Sequence, residues 1–356
     1  MGKAYEFPVS KPSITERERE FVSDVMSSGW ISSLGPYVER FERDFAKWNG
    51  KKYGVACSSG TSALTIALRA LGMRPGDEVI VPEFTMIATA WAVTYTGDKP
   101  VFVDCGDDLN IDPELIERKI TPQTRAIVPV HVYGRSCNME RILDLAYEHN
   151  MDVVEDSAEA HGIKPKGSIA CFSLFANKII TAGEGGICVT DDEGLAKQMA
   201  HLRAMAFDTK HTFLHKKLGY NFRMTNLQAA LATAQTSRVD EILKKRKEIE
   251  ERYDEGLRGI KGITLMPKRD VLWMYDLLAE DRDGLAEHLD KEGIETRVFF
   301  RPMSQQPMYF NPDWLELKAA SFASRGLYLP TYTDLTGEDQ KFITGKVREF
   351  YGSRNK

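Results

Sequence analysis

The sequence predicts an α/β fold in which a mostly parallel central sheet has helices on both faces and a smaller C-terminal α+β domain follows. Between residues 61 and 205, short and almost continuously apolar runs alternate with helical segments. Such runs are typical of parallel strands that are buried on both faces. After a long helical stretch that begins at Asn226, the alternation becomes less regular. We therefore expect a large domain over residues 1–240 and a small domain over residues 241–356.

Periodicity, capping residues and helix breakers place the elements in order. Thr15 and Glu18 form a capping-box pattern, and Gly29 ends the helix that follows it. Asp112 followed by Pro113 is a typical helix start. The predicted helices are 15–28, 36–48, 61–71, 85–95, 112–119, 139–149, 193–205, 226–257, 282–291 and one from 338, and the predicted strands are 78–81, 100–103, 125–130, 151–154, 169–175, 187–189, 263–266, 272–278 and 295–299.

Composition and charge exclude several classes of protein. The chain has 356 residues, of which 42% are hydrophobic and 28% charged, and its net charge is −5. The short basic run 244–247 lies in a helical pattern among acids, so we expect no binding to nucleic acid or membrane surfaces. No stretch resembles a signal peptide or a membrane span. Five cysteines without a Cys-x-x-Cys pair indicate reduced thiols in a cytoplasmic protein, and we expect no metal site.

A helix start at residues 57–64 has the features of an anion-binding site. Gly60 allows close approach of the backbone, Thr61 and Ser62 supply hydroxyls, and a helix N-terminus carries partial positive charge. The same residues also make an ordinary helix cap, which on its own is the commoner explanation. This segment alone therefore leaves both interpretations open.

An acid and a lysine follow successive predicted strands downstream. Asp156 follows the strand predicted over residues 151–154. Lys178 comes after the apolar run 169–175, which contains Ser173. Because the carboxyl ends of parallel strands meet at one edge of a sheet, both side chains should lie near the anion site. A phosphate site, an acid for a ring nitrogen and an amine for a Schiff base are what pyridoxal 5′-phosphate (PLP) requires. His161, close by, fits a structural histidine better than a catalytic one.

Motifs along nearly the whole chain extend this interpretation. They are 30–33 (WISS), 59–61 (SGT), 76–82 (GDEVIVP), 129–134 (PVHVYG), 154–159 (VEDSAE), 172–178 (FSLFANK), 183–186 (GEGG), 219–226 (GYNFRMTN) and 293–297 (GIETR). In these motifs the sequence resembles the DegT/DnrJ/EryC1/StrS sugar aminotransferases, which are fold type I PLP enzymes. The resemblance implies transfer of an amino group from glutamate, through PLP and pyridoxamine phosphate, to a keto sugar nucleotide; the expected acceptor is C4 of GDP-4-keto-6-deoxymannose.

The resemblance also implies a role for each matching residue. Lys178 would hold the cofactor covalently and move the proton, Asp156 would pair with the pyridine nitrogen, and Glu159 would lie near the phenolic oxygen. The active sites would be shared across a homodimer, with Asn221 reaching the phosphate from the other subunit. Gly60, Thr61 and Ser173 would bind that phosphate, and Trp30, Ser32, His131 and Arg223 are candidates for contacts with the substrate or the partner subunit.

The chain departs from the family pattern at three places. Met86 stands where relatives usually have an aromatic residue on the cofactor ring, so Met86 or Phe84 is expected to cover the ring. Ser304, with Arg301 nearby, stands where relatives often have histidine. The loops at 162–168 and 276–282 are shorter than usual. These differences fall in and around the expected substrate pocket.

Three alternatives are compatible with parts of the pattern. Other 3- or 4-keto-6-deoxysugars linked to dTDP or UDP are alternative acceptors. A PLP-dependent sugar dehydratase of this family would carry histidine in place of Lys178, so the lysine argues against it. A regulatory PLP-binding domain is a further alternative, but the sequence shows no DNA-binding extension.

Overall fold

The computed structural model describes residues 4–207, 213–312 and 317–353. Its larger sheet has seven strands: β1 (Tyr53–Cys57), β2 (Glu78–Pro82), β3 (Lys99–Val103), β4 (Thr124–Ile127), β5 (Asp152–Asp156), β6 (Ile169–Ser173) and β7 (Gly186–Thr190). The strand order is β1-β7-β6-β5-β4-β2-β3. Strands β2 to β6 pair in parallel, and β7 runs antiparallel to both β6 and β1. The predicted, mostly parallel sheet is confirmed.

Helices cover this sheet and form most of the remaining structure. Helix α1 begins with the predicted capping box of Thr15 and Glu18 and ends at the left-handed Gly29. The helices are α1 (Glu16–Ser28), α2 (Pro36–Trp48), α3 (Gly60–Ala70), α4 (Ala88–Thr96), α5 (Pro113–Ile116), α6 (Met139–Glu148), α7 (Glu193–Arg203), α8 (Asn226–Thr236), α9 (Val239–Leu257), α10 (Arg282–Lys291), α11 (Lys318–Arg325) and α12 (Gly337–Ser353). None of the helices in the described ranges is long and apolar enough to span a bilayer.

A second, antiparallel sheet lies in the C-terminal part of the chain. It consists of β8 (Ile263–Leu265), β9 (Tyr275–Ala279), β10 (Arg297–Val298) and β11 (Gly326–Leu329), in the order β10-β11-β9-β8. Its apolar face packs with α9, α10 and α12 around a separate hydrophobic cluster. The two sheets lie on either side of residue 240, while the division into two domains stays a prediction.

The N-terminal segment pairs with this C-terminal part. Phe7 forms a parallel bridge with Ile294 and belongs to the C-terminal hydrophobic cluster. The Val9 N–H donates to the Glu295 carboxylate over 2.8 Å. Residues 7–9 are thereby fixed beside β10.

The sequence prediction was wrong about several elements. Strand β1 was not predicted, because its segment contains Gly54 and lacks a long apolar run. The structure requires glycine at this position, because a Cβ on Gly54 would lie 2.3 Å from the Glu42 carbonyl oxygen. The helix predicted over 226–257 is two helices, broken at Arg238, whose guanidinium donates to the buried Glu18 over 2.8 Å. Helix α11 and strand β11 were also missed.

Candidate active site

A cavity of about 470 Å³ lies at the carboxyl edge of the large sheet, next to the C-terminal part. Asp156 and Ser173, the last residues of β5 and β6, line it together with the start of α3. The carboxyl edge of a parallel sheet is the usual ligand site of α/β proteins. Residues of the C-terminal part complete the wall, and they include Trp273, Arg297 and Tyr328.

Lys178 lies in the loop after β6, and its amine is held inside the cavity. Its backbone N–H donates to the Phe175 carbonyl over 2.9 Å, which turns the chain toward the site. The Lys178 Nζ lies 3.6 Å from Glu159 Oε1 and 4.0 Å from the centroid of the Trp273 ring. Only 11% of the lysine side chain is exposed. Burial lowers the pKa of this amine, and the nearby carboxylates oppose that shift.

Glu159 is a buried acid whose protonation is balanced near neutrality. Its Oε2 accepts the Tyr133 N–H over 3.0 Å, which fixes the carboxyl group. Burial raises the pKa of Glu159 to about 7, against the opposing effect of the Lys178 charge. A carboxyl group with this pKa, 3.6 Å from an amine, can exchange a proton with it at physiological pH.

Asp156 is held at the end of β5 by two hydrogen bonds. The Thr89 hydroxyl donates to Oδ2 over 2.8 Å, and the Ala158 N–H donates to Oδ1 over 3.1 Å. Burial raises the pKa of Asp156, while these donors and the charge of Lys178 oppose the rise. A cation placed against this carboxyl would stabilise its ionised form further. The site therefore offers a fixed acid suited to a protonated ring nitrogen.

The first turn of α3 forms a cup for an anion. Ser59 caps the helix by accepting the Ser62 N–H over 3.1 Å. The backbone must approach Ser173 closely here, because a Cβ on Gly60 would lie 2.8 Å from the Ser173 Cβ. The first N–H groups of a helix have no partners within it, and they attract anions such as phosphate. Thr61 and Ser173 both line the cavity beside this turn.

The groups in the cavity fit PLP. The cup suits a phosphate, the buried Asp156 suits a pyridinium nitrogen, and Lys178 offers an amine of lowered pKa. Met86 also lines the cavity and is 50% exposed. Phe84 does not line it, because this ring is fully buried in an aromatic cluster with Tyr133. Of the two residues expected to cover the cofactor ring, Met86 is therefore the one in position.

Five of the predicted site residues do not line the cavity of this chain. The structure corrects the prediction for His131, which is fully buried. Its Nδ1 accepts the Cys137 N–H and its Nε2 lies 2.8 Å from Glu155, so the ring cannot reach a substrate. The other four, Trp30, Ser32, Asn221 and Arg223, are exposed on the surface. His161 is also buried, between Phe45 and Phe172, as expected of a structural histidine.

Several residues at the site were not found from the sequence, among them Trp273, Thr89 and Arg297. Trp273 covers the lysine and donates its indole N–H to the Asn177 carbonyl over 2.8 Å, which fixes the loop that carries Lys178. Thr89 orients Asp156, and Arg297 stands in the cavity wall. Thr89 lies four residues after Thr85, and their hydroxyls are 3.1 Å apart. This helical spacing was the only local pattern in the sequence that pointed to Thr89.

A buried carboxyl group fixes the rim of the site. Glu83 follows β2, and its Oε1 accepts the Ser304 N–H over 2.7 Å, while its carbonyl accepts the Met303 N–H. Glu83 is fully buried and its Oε2 has no partner among the described residues. Burial raises the pKa of Glu83 to about 7. Glu83 and Ser304 thus join the loop of Met86 to the segment after β10.

Replacing Glu83 with glutamine should stabilise the protein in a pH-dependent way. An unfolded glutamate ionises near pH 4.3, so the wild type loses stability as the pH rises from there to about 7, whereas Glu83→Gln does not. We expect the variant to be more stable by roughly 1–3 kcal/mol near pH 8 and about equal to wild type near pH 4. Urea unfolding at both pH values measures this. If the variant and the wild type differ in stability by the same amount at pH 4 and pH 8, Glu83 is already ionised in the native protein at pH 4.

Comparison with known proteins agrees with the geometry of the site. The model of the DegT/DnrJ/EryC1/StrS aminotransferase family matches residues 12–348. The chain belongs to this family and is a PLP-dependent aminotransferase of fold type I.

Individual relatives cover nearly the whole chain. It is 40% identical to GDP-perosamine synthase from Escherichia coli O157:H7, over 98% of this chain and 99% of the relative. It is 43% identical to GDP-perosamine synthase from Caulobacter vibrioides, over 93% and 94% of the two chains. Among solved structures, DesV from S. venezuelae superposes with a TM-score of 0.89 at 35% identity, over 94% of each chain.

Proposed function

We propose that this enzyme transfers the amino group of glutamate to C4 of GDP-4-keto-6-deoxymannose, forming GDP-perosamine. The observation that carries the transamination is the amine of Lys178, which lies beside Glu159 in a cavity that also holds Asp156 and an anion cup. The choice of sugar nucleotide rests on the similarity to two GDP-perosamine synthases at 40% and 43% identity.

Each residue of the site would have a separate role in the reaction. PLP, when bound, supplies an electron sink for the carbon that loses its proton. The anion cup of α3 and Ser173 would hold its phosphate, and Asp156 would hold its ring nitrogen in the protonated state. Met86 would cover the ring with a polarisable apolar surface.

Lys178 is the group that moves the proton. Its burial lowers the pKa of the amine, so that a larger fraction is uncharged at neutral pH and can accept a proton from the donor. Glu159, with a pKa of about 7, lies 3.6 Å from the amine, and its ionised form would stabilise the protonated amine until the proton is returned. The Trp273 ring limits access of water to the same face of the amine.

A panel of keto sugar nucleotides tests the proposed substrate. The purified enzyme, loaded with PLP, is incubated with glutamate and with 4-keto or 3-keto 6-deoxysugars linked to GDP, dTDP or UDP. We expect an amino sugar at a high rate only from GDP-4-keto-6-deoxymannose, detected by mass spectrometry with 2-oxoglutarate as co-product. Faster turnover of a dTDP or UDP sugar would replace the proposed acceptor, and no turnover with any of them would contradict a sugar aminotransferase.

We also propose a cytoplasmic homodimer with shared active sites. Asn221 and Arg223 support it, because they are exposed, bonded to each other over 2.9 Å, and absent from the wall of their own cavity. Exposed apolar side chains at Trp30, Ile31 and Leu34 offer a surface that a second copy would bury. The five free cysteines are all buried, which suits a reducing compartment. Light scattering at micromolar concentration measures the oligomeric state, and cell fractionation measures the location.

A further inference from the structure

A second cavity, of about 630 Å³, lies between helix α9 and the segment that precedes β9. It shares no wall residue with the active-site cavity. Leu272 in its wall directly precedes Trp273, which covers Lys178 in the active site. Small-molecule sites typically have volumes of about 300–1,000 Å³. The cavity is therefore large enough for a ligand, and transamination gives it no role.

Three lysines without a carboxylate partner stand around this second cavity. Lys244 and Lys247 belong to the basic run 244–247 and are neighbours on the surface of α9, because they are three residues apart. Lys268 lines the cavity from the segment before β9. Within the described ranges, none of these three lysines forms an ion pair. The wall contains four cations and two acids, so its net charge is +2.

Arg269 is the buried cation of the wall, and it is held in place by acids. Only 4% of Arg269 is exposed, its Nε donates to Asp276 Oδ1 over 2.7 Å, and its Nη1 donates to Glu250 Oε1 over 3.0 Å. Asp270, the other acid of the wall, accepts the Ser136 N–H over 2.8 Å. Both acids of the wall thus have partners, and the charges left for a ligand are those of the lysines.

One part of the wall is apolar and closely packed. Leu243 and Val271 line the cavity beside Gly162, where a Cβ would lie 2.9 Å from Val271 Cγ1 and 3.1 Å from Leu243 Cδ1. Arg246 on α9 donates to the Trp273 carbonyl over 2.8 Å, which fixes the helix against the segment before β9. The two sides of the cavity are therefore held together before a ligand arrives, which lowers the cost of binding.

We propose that this second cavity binds a nucleoside diphosphate, at a site separate from the active site. Lys244, Lys247 and Lys268 supply three ammonium groups from two elements, enough to contact two adjacent phosphate groups. The apolar wall of Leu243 and Val271 suits the face of a nucleobase, which gains by leaving water. Inorganic pyrophosphate would satisfy the lysines but leave this wall in contact with water.

Calorimetric titration of the PLP-loaded protein with GDP tests for the additional site. We expect wild type to bind one equivalent of GDP per chain that is weakened about 10-fold or more when Lys244→Met and Lys247→Met are combined, because two charge-assisted contacts are lost. Lys245→Met is the matched control. Lys245 belongs to the same basic run but pairs with Glu241 over 3.0 Å and does not line the cavity, so its variant should bind GDP like wild type.

The comparison of variants does not depend on the substrate of the enzyme. GDP bound in the active site contributes equally to all three proteins, and all three should convert glutamate at the same rate. Binding that is unchanged in the double variant, or reduced equally by Lys245→Met, overturns the proposal. A failure of every protein to react with glutamate would contradict the proposed function instead.

Smaller probes and chemical labelling test the chemistry and the place of binding. Pyrophosphate should bind about 10-fold more weakly than GDP, because it makes no contact with the apolar wall. Equal affinities for phosphate, pyrophosphate and GDP would show only general attraction of anions to lysines and would rule out a nucleotide site. Acetylation of lysines, read by peptide mass spectrometry, should be slowed by GDP at Lys244, Lys247 and Lys268 but not at Lys245. Labelling that GDP does not change at the first three lysines overturns the location.

Discussion

Replacing Lys178 with alanine is expected to abolish covalent attachment of the cofactor and to reduce transamination by a factor on the order of 10³ or more. Proton transfer by a positioned group alone contributes about 10²- to 10⁴-fold. Lys178 is the only lysine in the cavity wall among the described residues, so no other amine can take its place. Reduction with borohydride followed by intact-mass measurement detects the attachment, and single-turnover kinetics with glutamate measure the rate.

A matched control is Lys197→Ala on α7, where an exposed lysine pairs with Glu193 over 2.7 Å. This variant should keep both the covalent cofactor and the rate. Retention of the covalent cofactor in Lys178→Ala would show that a different lysine is the anchor, and the assignment of the site would then be wrong. A normal urea midpoint for the variant separates loss of chemistry from loss of folding.

Replacing Asp156 with asparagine is the prediction with the second-largest effect. Asparagine has nearly the same shape and can still accept the hydroxyl of Thr89, but it cannot carry negative charge. The ring nitrogen then lacks its counter-charge, so we expect a fall in the rate of transamination on the order of 10²- to 10³-fold. Retention of PLP after dialysis should also decrease, and both are measured on freshly loaded protein.

Asp152→Asn is the control, because Asp152 begins the same strand at the opposite edge of the sheet. It should leave the rate of transamination unchanged. An Asp156→Asn enzyme with a rate within a few-fold of wild type would show that the ring nitrogen does not need an anion here. Thr89→Val should give an intermediate loss, because it removes the hydrogen bond but leaves the carboxylate in place.

The parts of the site that follow strand ends could be predicted from the sequence. Gly60, Asp156 and Lys178 each follow a recognisable strand or begin a helix, and parallel topology brings such positions to one edge. Their grouping therefore required only the order of elements along the chain. The residues that the C-terminal part contributes to the cavity wall do not follow strands of the large sheet. Trp273 and Arg297 reach the cavity because the C-terminal part packs across the sheet edge, and no local pattern encodes that packing.

His131 illustrates the opposite error. It lies in the motif 129–134 shared with the family and was a candidate for contact with the substrate or the partner subunit. In the structure its Nδ1 accepts the Cys137 N–H, and its Nε2 lies 2.8 Å from Glu155 Oε2. Sequence position gives the edge of the sheet on which a residue lies, but the side to which its ring turns depends on partners from other elements.

The pairing of Val9 with Glu295 has a consequence for how the enzyme is made on the ribosome. The large sheet, with the amine of Lys178, is synthesised well before the strand that carries Arg297. Domains generally fold as units while the chain emerges. With the predicted domain boundary near residue 240, we expect the reactive amine to spend this interval without its outer wall. Phe7 and Val9 meet Ile294 and Glu295 only after those residues have been synthesised, and this pairing then places Val9 in the cavity wall. We therefore expect stable capture of the cofactor only after the strand that carries Arg297 has been synthesised.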